Sequence, residues 1–306
     1  MKKLVTRRQF QKKMKIRLKS WRHLGDTACL SAAMANLAAL HPDWEAWYCG
    51  DYAEMYDGGP FHSRPDGADR IVHLAYGDHG ACEKAASRGN ICESYTAALA
   101  GWLGEDIPCV HRAPVLPEPT ECMEWAEQFR GCVLLNTNCQ ARSSTKGYPH
   151  WPVVAKMLRD AGKRVALMGG RDDRDIRHAG DFPGCADLRG RTTVRQLMAL
   201  ASVASCVASP ASGIVHIAAA YGTPCVVLTG ARELPALTAY PHTRHLTAVC
   251  HGRADYGVER GCMHFVADST MASCEDAVEV CGRWYPRCMA EIPPETIANA
   301  ILETIQ

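Results

Sequence analysis

The residues of this 306-residue chain best suited to chemistry lie in four loops rich in glycine and small hydroxyls. The first is Leu24-Gly25-Asp26. The others are Ser143-Ser144-Thr145-Lys146, Gly169-Gly170-Arg171 and Ala211-Ser212-Gly213, with His216 on the third position after Gly213. Lysine, small hydroxyls and backbone amides at a helix start are the groups that hold a diphosphate. An aspartate on the opposite wall can take a proton from an incoming hydroxyl. Glu233, in Ala231-Arg232-Glu233, could bind hydroxyls of donor or acceptor. Each residue also has an ordinary reading: Gly25-Asp26 as a turn with an N-cap aspartate, Lys146 and Glu233 as surface residues, and His216 as a satisfied core histidine.

These loops share one requirement: each must follow a strand, because ligands of parallel sheets bind outside the carboxyl ends of the strands. Alternation of basic and apolar residues over 15–21 predicts a strand, followed by a helix over 27–40 that His41-Pro42-Asp43 stops. A second strand is expected over 45–49 and a helix over 91–103. Between them, 51–89 reads as long loops around a short apolar run at 71–74. Pro108, Pro114, Pro117 and Pro119 mark an extended interdomain passage. Strands over 133–136, 164–168, 206–208 and 225–228 then alternate with helices over 149–161, 194–204 and 212–221. That rhythm predicts a parallel sheet covered on both faces. Within it, 209–230 reads as a loop, a helix opening at Ser212-Gly213, a Gly-Thr-Pro turn and a buried strand, which together make an anion site at a helix N-terminus. A helix over 294–305 closes the chain.

Length suggests two domains of roughly 150 residues each. We expect a basic arm over 1–14, a first domain over 15–118, a second over 119–290 with a cysteine-rich loop at 250–288, and the closing helix over 291–306. Apolar residues at 47% and charged residues at 22% fit a soluble globular protein and exclude wholesale disorder. A net charge of +1 hides an asymmetry, since every charged residue before Asp26 is basic, from Lys2 to Arg22. Such an arm could meet nucleic-acid phosphates or an anionic membrane surface, or serve as a solvated tail. Between Gln196 and Ala231 no side chain is formally charged, yet Pro210, Gly213, Gly222 and Pro224 break the run into pieces too short to span a bilayer.

Of the 16 cysteines, Cys29, Cys206 and Cys225 sit in apolar segments where a thiol packs like a small hydrophobe. No apolar stretch follows the basic start, so a reducing, cytoplasmic setting is expected, with peripheral placement at the inner membrane face through the arm. Cys250, Cys262, Cys274, Cys281 and Cys288 have two readings: free thiols, or a tetrahedral structural zinc or iron site completed by His251 or His264. Their spacings lack the Cys-x-x-Cys knuckle.

An ordered set of motifs resembles the heptosyltransferase family of glycosyltransferases, the ADP-heptose:lipopolysaccharide type. It runs from Leu24-Gly25-Asp26 and His41-Pro42-Asp43 to Lys146-Gly-Tyr-Pro-His-Trp, Ala166-Leu-Met-Gly-Gly and Asp187-Leu-Arg-Gly. It ends with Ser212-Gly-Ile-Val-His-Ile-Ala-Ala-Ala-Tyr-Gly-Thr-Pro and Cys288-Met-Ala-Glu-Ile. The resemblance implies an α/β protein of GT-B fold, with two Rossmann-like domains of parallel sheet facing across a cleft and the final helix returning toward the first domain. It implies an inverting transfer with no catalytic metal, from an ADP-heptose-like nucleotide sugar to a lipopolysaccharide or other surface-glycan precursor. Asp26 then matches the general base, Lys146 the phosphate-binding lysine and Ser212-Gly213 the diphosphate site. Thr145, Gly170, Arg171 and His216 join them as donor-binding candidates. The same chemistry on a DNA or protein acceptor, and a non-catalytic nucleotide-sugar-binding protein, are the alternatives. One position departs from the family pattern: an acidic residue normally precedes the Ser/Thr-Gly pair, and here it is Ala211, which cannot make charged hydrogen bonds to sugar hydroxyls.

Overall fold

The structure, a computed structural model, describes residues 13–19, 23–62, 67–74, 89–137, 146–170, 182–230, 235–248, 276–281 and 283–306. The chain divides into two compact units, Met1–Pro117 and Glu118–Gln306.

In the first unit, strands β1 (Lys15–Lys19), β2 (Glu45–Tyr48) and β3 (Arg70–His73) form a parallel sheet in the order β2-β1-β3. Ile16 and Leu18 of β1 are wholly buried while Lys15 is exposed, so the alternation of the sequence maps onto the two faces of the strand. Helix α1 (Leu24–Leu40) follows β1, and Asp26 through Leu37 are all buried. A helix buried on every side needs no apolar stripe. Its many alanines instead let helix α2 (Ile91–Leu103) pack closely along it. The helix starts at Leu24 rather than at residue 27, because His23, at φ −121° and ψ 129°, is the last extended residue. Asp26 therefore stands within the first helical turn.

Polar side chains inside this unit fasten the proline-bearing passage. Asn36 donates to the His111 carbonyl at 3.0 Å and accepts the His111 amide at 2.7 Å. Ser31 accepts the Val115 amide at 2.8 Å, and Asn90 donates to the Arg112 carbonyl at 2.6 Å. Buried amides must find partners, and here the helices supply them.

The second unit contains a six-stranded parallel sheet, β4 (Val133–Asn136), β5 (Val165–Met168), β6 (Ala186–Asp187), β7 (Cys206–Pro210), β8 (Cys225–Thr229) and β9 (Thr243–Thr247). Their spatial order is β6-β5-β4-β7-β8-β9. In the unit's own chain order this is the doubly wound 3-2-1-4-5-6 arrangement, which reverses direction between β4 and β7. Val133, Leu135, Val165, Leu167, Ala208, Val226 and Leu228 pack into one core with α4 (Trp151–Asp160) and α8 (Pro294–Thr304). The alternate residues Leu134, Ala166, Val207 and Val227 are equally buried, so the sheet is covered on both faces. Helices α3 (Thr120–Ala126), α5 (Val194–Val203) and α6 (Gly213–Ala220) complete the cover; α5 packs on both α3 and α6. The closing helix α8 belongs to this core through Ile297, Ala298, Ala300 and Ile301.

Three features go beyond the sequence expectations. β6 is a two-residue edge strand, and β9, Thr-Arg-His-Leu-Thr, is a partly exposed edge strand with too few apolar residues to be recognised. A two-stranded antiparallel hairpin, β10 (Ala277–Val280) and β11 (Arg283–Pro286), precedes the short helix α7 (Arg287–Ala290). Among the described residues no helix is long and apolar enough to cross a membrane.

Candidate functional site

Both units place their chemistry-bearing residues where the strand order reverses. In the first unit β1 is flanked by β2 on one side and β3 on the other, and α1 rises from the end of β1. Asp26, only 6% exposed, lies in its first turn. The Tyr95 hydroxyl of α2 donates to Asp26 Oδ1 at 2.5 Å. Two more tyrosines brace the same turn. Tyr56 donates to the Thr27 carbonyl, and Tyr48 donates to the Asp51 carbonyl at 2.8 Å while lying 3.3 Å from Thr27 Oγ1. Burial, reinforced by Tyr48, Cys29 and Cys92, raises the Tyr56 hydroxyl well above its ordinary range, so it stays a donor.

In the second unit the reversal falls between β4 and β7. Asn136 closes β4, and its Nδ2 donates to Ser209 Oγ at 3.1 Å and to Ser212 Oγ at 2.9 Å. Ser209 and Ser212 hydroxyls lie 2.8 Å apart, and Ser209 also donates to the Pro210 carbonyl at 2.6 Å. Ser212 is the N-cap of α6, at φ −156° and ψ 172°, but its side chain makes no capping bond to the helix. The hydroxyl is turned toward Asn136 and Ser209 instead. Lys146 donates its Nζ to the Ala211 carbonyl at 3.1 Å, which sets a cation beside the start of the same helix. Immediately after Asn136, the wholly buried Thr137 hydroxyl has no hydrogen-bond partner among the described residues.

His216, one turn into α6, is buried and shares a 2.7 Å hydrogen bond between Nδ1 and the Tyr240 hydroxyl, with the rings edge to face. Burial, and then the Lys146 charge, pull its pKa down to about 4, so the imidazole is neutral. The structure thus brings Lys146, Ser212, Gly213 and His216 together. Gly170 ends the loop side of β5, the strand on the other flank of β4. Thr145, Arg171, Glu233, Cys250, Cys262 and Cys274 lie outside the described residues, as does all but the end of the basic arm.

Asp187-Leu-Arg-Gly has a structural use. Arg189 donates to both carboxylate oxygens of Asp187 at 2.9 Å, which holds that carboxyl below its ordinary value, and the guanidinium lies 5.4 Å from the Phe182 ring centroid. Of the two described cysteines proposed as metal ligands, Cys281 is exposed at the hairpin turn with φ +51°, and Cys288 in α7 packs against the second unit's core. Among the described residues no group of three or more His, Cys, Asp or Glu is placed to hold a metal ion.

Sequence reading did not find Asn136, Ser209, Tyr95 or Tyr240. Two of them carried a signal: Asn136 ends the otherwise apolar run Val-Leu-Leu, and Ser209 interrupts Cys-Val-Ala before Pro210. A polar residue closing a buried strand sits where a parallel sheet binds ligands.

Solved structures with the same architecture exist. ADP-heptose LPS heptosyltransferase II of E. coli superposes with a TM-score of 0.63 at 16% identity, over 95% of this chain and 98% of that one. A glycosyl transferase family 9 protein of Veillonella parvula gives 0.68 at 13% identity, over 95% and 97%. The iron-containing dodecameric glycosyltransferase TibC of enterotoxigenic E. coli gives 0.60 at 16% identity, over 96% and 76%. No curated protein sequence matches the chain. The likenesses establish the fold, α/β with parallel sheets in the GT-B class. The model of glycosyltransferase family 9 (heptosyltransferase) matches residues 89–262, more than half of the chain, which belongs to that family.

Proposed function

We propose that the protein is an inverting glycosyltransferase that moves a sugar from an ADP-linked, heptose-like donor to a hydroxyl of a lipopolysaccharide or other surface-glycan precursor. The observation that carries this reading is the second unit's reversal point, where Lys146 stands beside the first turn of α6 and the N-cap side chain makes no bond to that helix. The E. coli heptosyltransferase II that shares this architecture takes its name from ADP-heptose, a donor of the same chemical class.

In this reading residues 15–118 bind the acceptor and residues 119–290 bind the nucleotide sugar. Asp26 accepts the acceptor's hydroxyl proton as its oxygen attacks the anomeric carbon. The bond from that carbon to the diphosphate oxygen breaks on the opposite face, and the electron pair leaves with the diphosphate. Lys146 and the amides at Ser212 and Gly213 stabilise that negative charge, and Thr145, Gly170 and Arg171 are further candidates for donor binding. Neutral His216 joins the contacts to the donor diphosphate and nucleotide, and Glu233 binds hydroxyls of the donor or acceptor sugar. The buried Thr137 hydroxyl offers one more polar contact at the same strand end. The basic arm holds the enzyme at the inner face of the membrane, against anionic headgroups.

Asp26→Asn provides the test, with ADP-heptose as donor and deacylated lipopolysaccharide core as acceptor. The expected result is a loss of transfer of about 10²- to 10⁴-fold with ADP binding intact, as for removal of a general base. Transfer at the wild-type rate by the variant would remove Asp26 from the mechanism.

A further inference from the structure

Asp26 is buried in the first turn of a helix and held by a phenol from a second helix. A carboxyl withdrawn from water to 6% exposure favours its neutral form, and a neutral acid cannot accept a proton. The Tyr95 hydroxyl, 2.5 Å from Oδ1, opposes this, because an O–H donor stabilises the ionised carboxylate. Tyr95 is itself only 2% exposed and sits in the middle of α2, whose start is fixed by Asn90 accepting the Cys92 and Glu93 amides at 3.0 and 3.2 Å. The donor is therefore mounted on a helix that is rigidly capped and packed along α1.

We infer that Tyr95 is a positioning residue that orients Asp26 and keeps it ionised in its buried turn. The inference rests on Asp26 being the base of the proposed transfer. A carboxylate has about four lone-pair sites, and the Tyr95 bond takes up one of them. On protonation the Tyr95 bond weakens, and it is restored when the proton leaves to solvent. The elements packed on α1 carry the remaining titratable groups of this neighbourhood. Cys92 and Glu93 share α2 with Tyr95, Glu45 and Tyr48 lie on β2, and Glu54 and Tyr56 lie on the short helix Ala53–Tyr56; His23 and Cys29 belong to the start of α1. Of these, Glu93 is drawn toward Arg112 at 3.4 Å, and the Tyr48 and Tyr56 hydroxyls are committed to backbone carbonyls. Among the described residues, the Tyr95 hydroxyl lies on the Asp26 carboxylate.

The test is the titration of Asp26 in the full chain, followed by carbon NMR of protein labelled at the aspartate carboxyl, with Asp26→Asn to assign the signal. Removing a hydrogen bond to a charged group should raise the Asp26 midpoint by about one to two pH units in Tyr95→Phe. Replacing Tyr95 by 3-fluorotyrosine, a stronger donor of nearly the same shape, should lower it. This second variant decides the matter if Tyr95→Phe does not fold. A midpoint unmoved in both variants overturns the inference while leaving Asp26 as the base. Wild-type transfer by Asp26→Asn instead overturns the base assignment, and the role of Tyr95 falls with it.

Discussion

Helices α5 and α6 are packed neighbours, and each follows a strand of the same parallel sheet, yet the chain treats their first turns in opposite ways. At α5 the Thr193 hydroxyl accepts the Gln196 amide at 3.1 Å, and the Gln196 side chain accepts the Thr193 amide at 2.9 Å. This reciprocal cap satisfies the amides from within. At α6 the cap residue is also a small hydroxyl, but the Ser212 side chain is bound to Asn136 and Ser209 and makes no capping bond to its own helix. A lysine stands beside α6, whereas the first turn of α5 holds Arg195, whose guanidinium is engaged by Glu121 at 2.6 and 2.8 Å. The contrast teaches that residue type at the N-cap does not by itself decide whether the side chain caps its helix. In the proposed reading, the difference lies in whether a neighbouring strand draws the capping side chain away. Only at α6 does the reversal of strand order supply such a neighbour.

The largest expected effect on this comparison comes from His216, the buried titratable group of α6. Its folded pKa of about 4 lies below the ordinary 6.5, so the folded state resists a proton that the unfolded chain accepts. The associated stability is complete above pH 6.5 and is lost as the pH falls toward 4, amounting to about 3 kcal/mol. Urea unfolding at pH 7.5 and 4.5 should show His216→Gln losing less stability over that interval than the wild type. Equal losses would mean that His216 is not held neutral.

A second variant converts α6 into a copy of its neighbour. Ser212→Asp places a carboxylate on the first-turn amides, as capping helices prefer, so thermal stability should hold or rise by about 0.5–1 kcal/mol. Affinity for ADP should nonetheless fall at least ~10-fold, because the amides are occupied and the added charge repels the diphosphate. The smallest effect is the converse. Thr193→Ala should cost about 1 kcal/mol of stability, read by thermal unfolding, and leave ADP affinity unchanged.

The contrast also explains what the sequence could and could not disclose. The α/β rhythm from β4 to β8 is plain, because buried parallel strands are short apolar runs and the helices between them carry their own signals. Ser212-Gly213 likewise stands out as a helix start. That its hydroxyl is turned away is invisible, since Asn136 lies 76 positions distant along the chain and meets Ser212 only through the pairing of β4 with β7. The same holds for Tyr95 and Asp26, which are 69 positions apart and joined by the packing of α2 on α1. In the first unit, α1 is so rich in alanine that its sequence fixes no boundary, and its start at Leu24 depends on where His23 stays extended. Strand β9 escaped notice because an edge strand exposes residues that an interior strand would bury.

The central claim is that the uncapped start of α6, with Lys146 beside it, is where the donor's diphosphate binds. Calorimetric titration of ADP into the wild type, Thr193→Ala and Ser212→Asp tests it most directly. We expect the first two to bind alike and Ser212→Asp to bind at least ~10-fold more weakly while remaining folded. Equal affinity in all three proteins, or no ADP binding by the wild type, would contradict the claim.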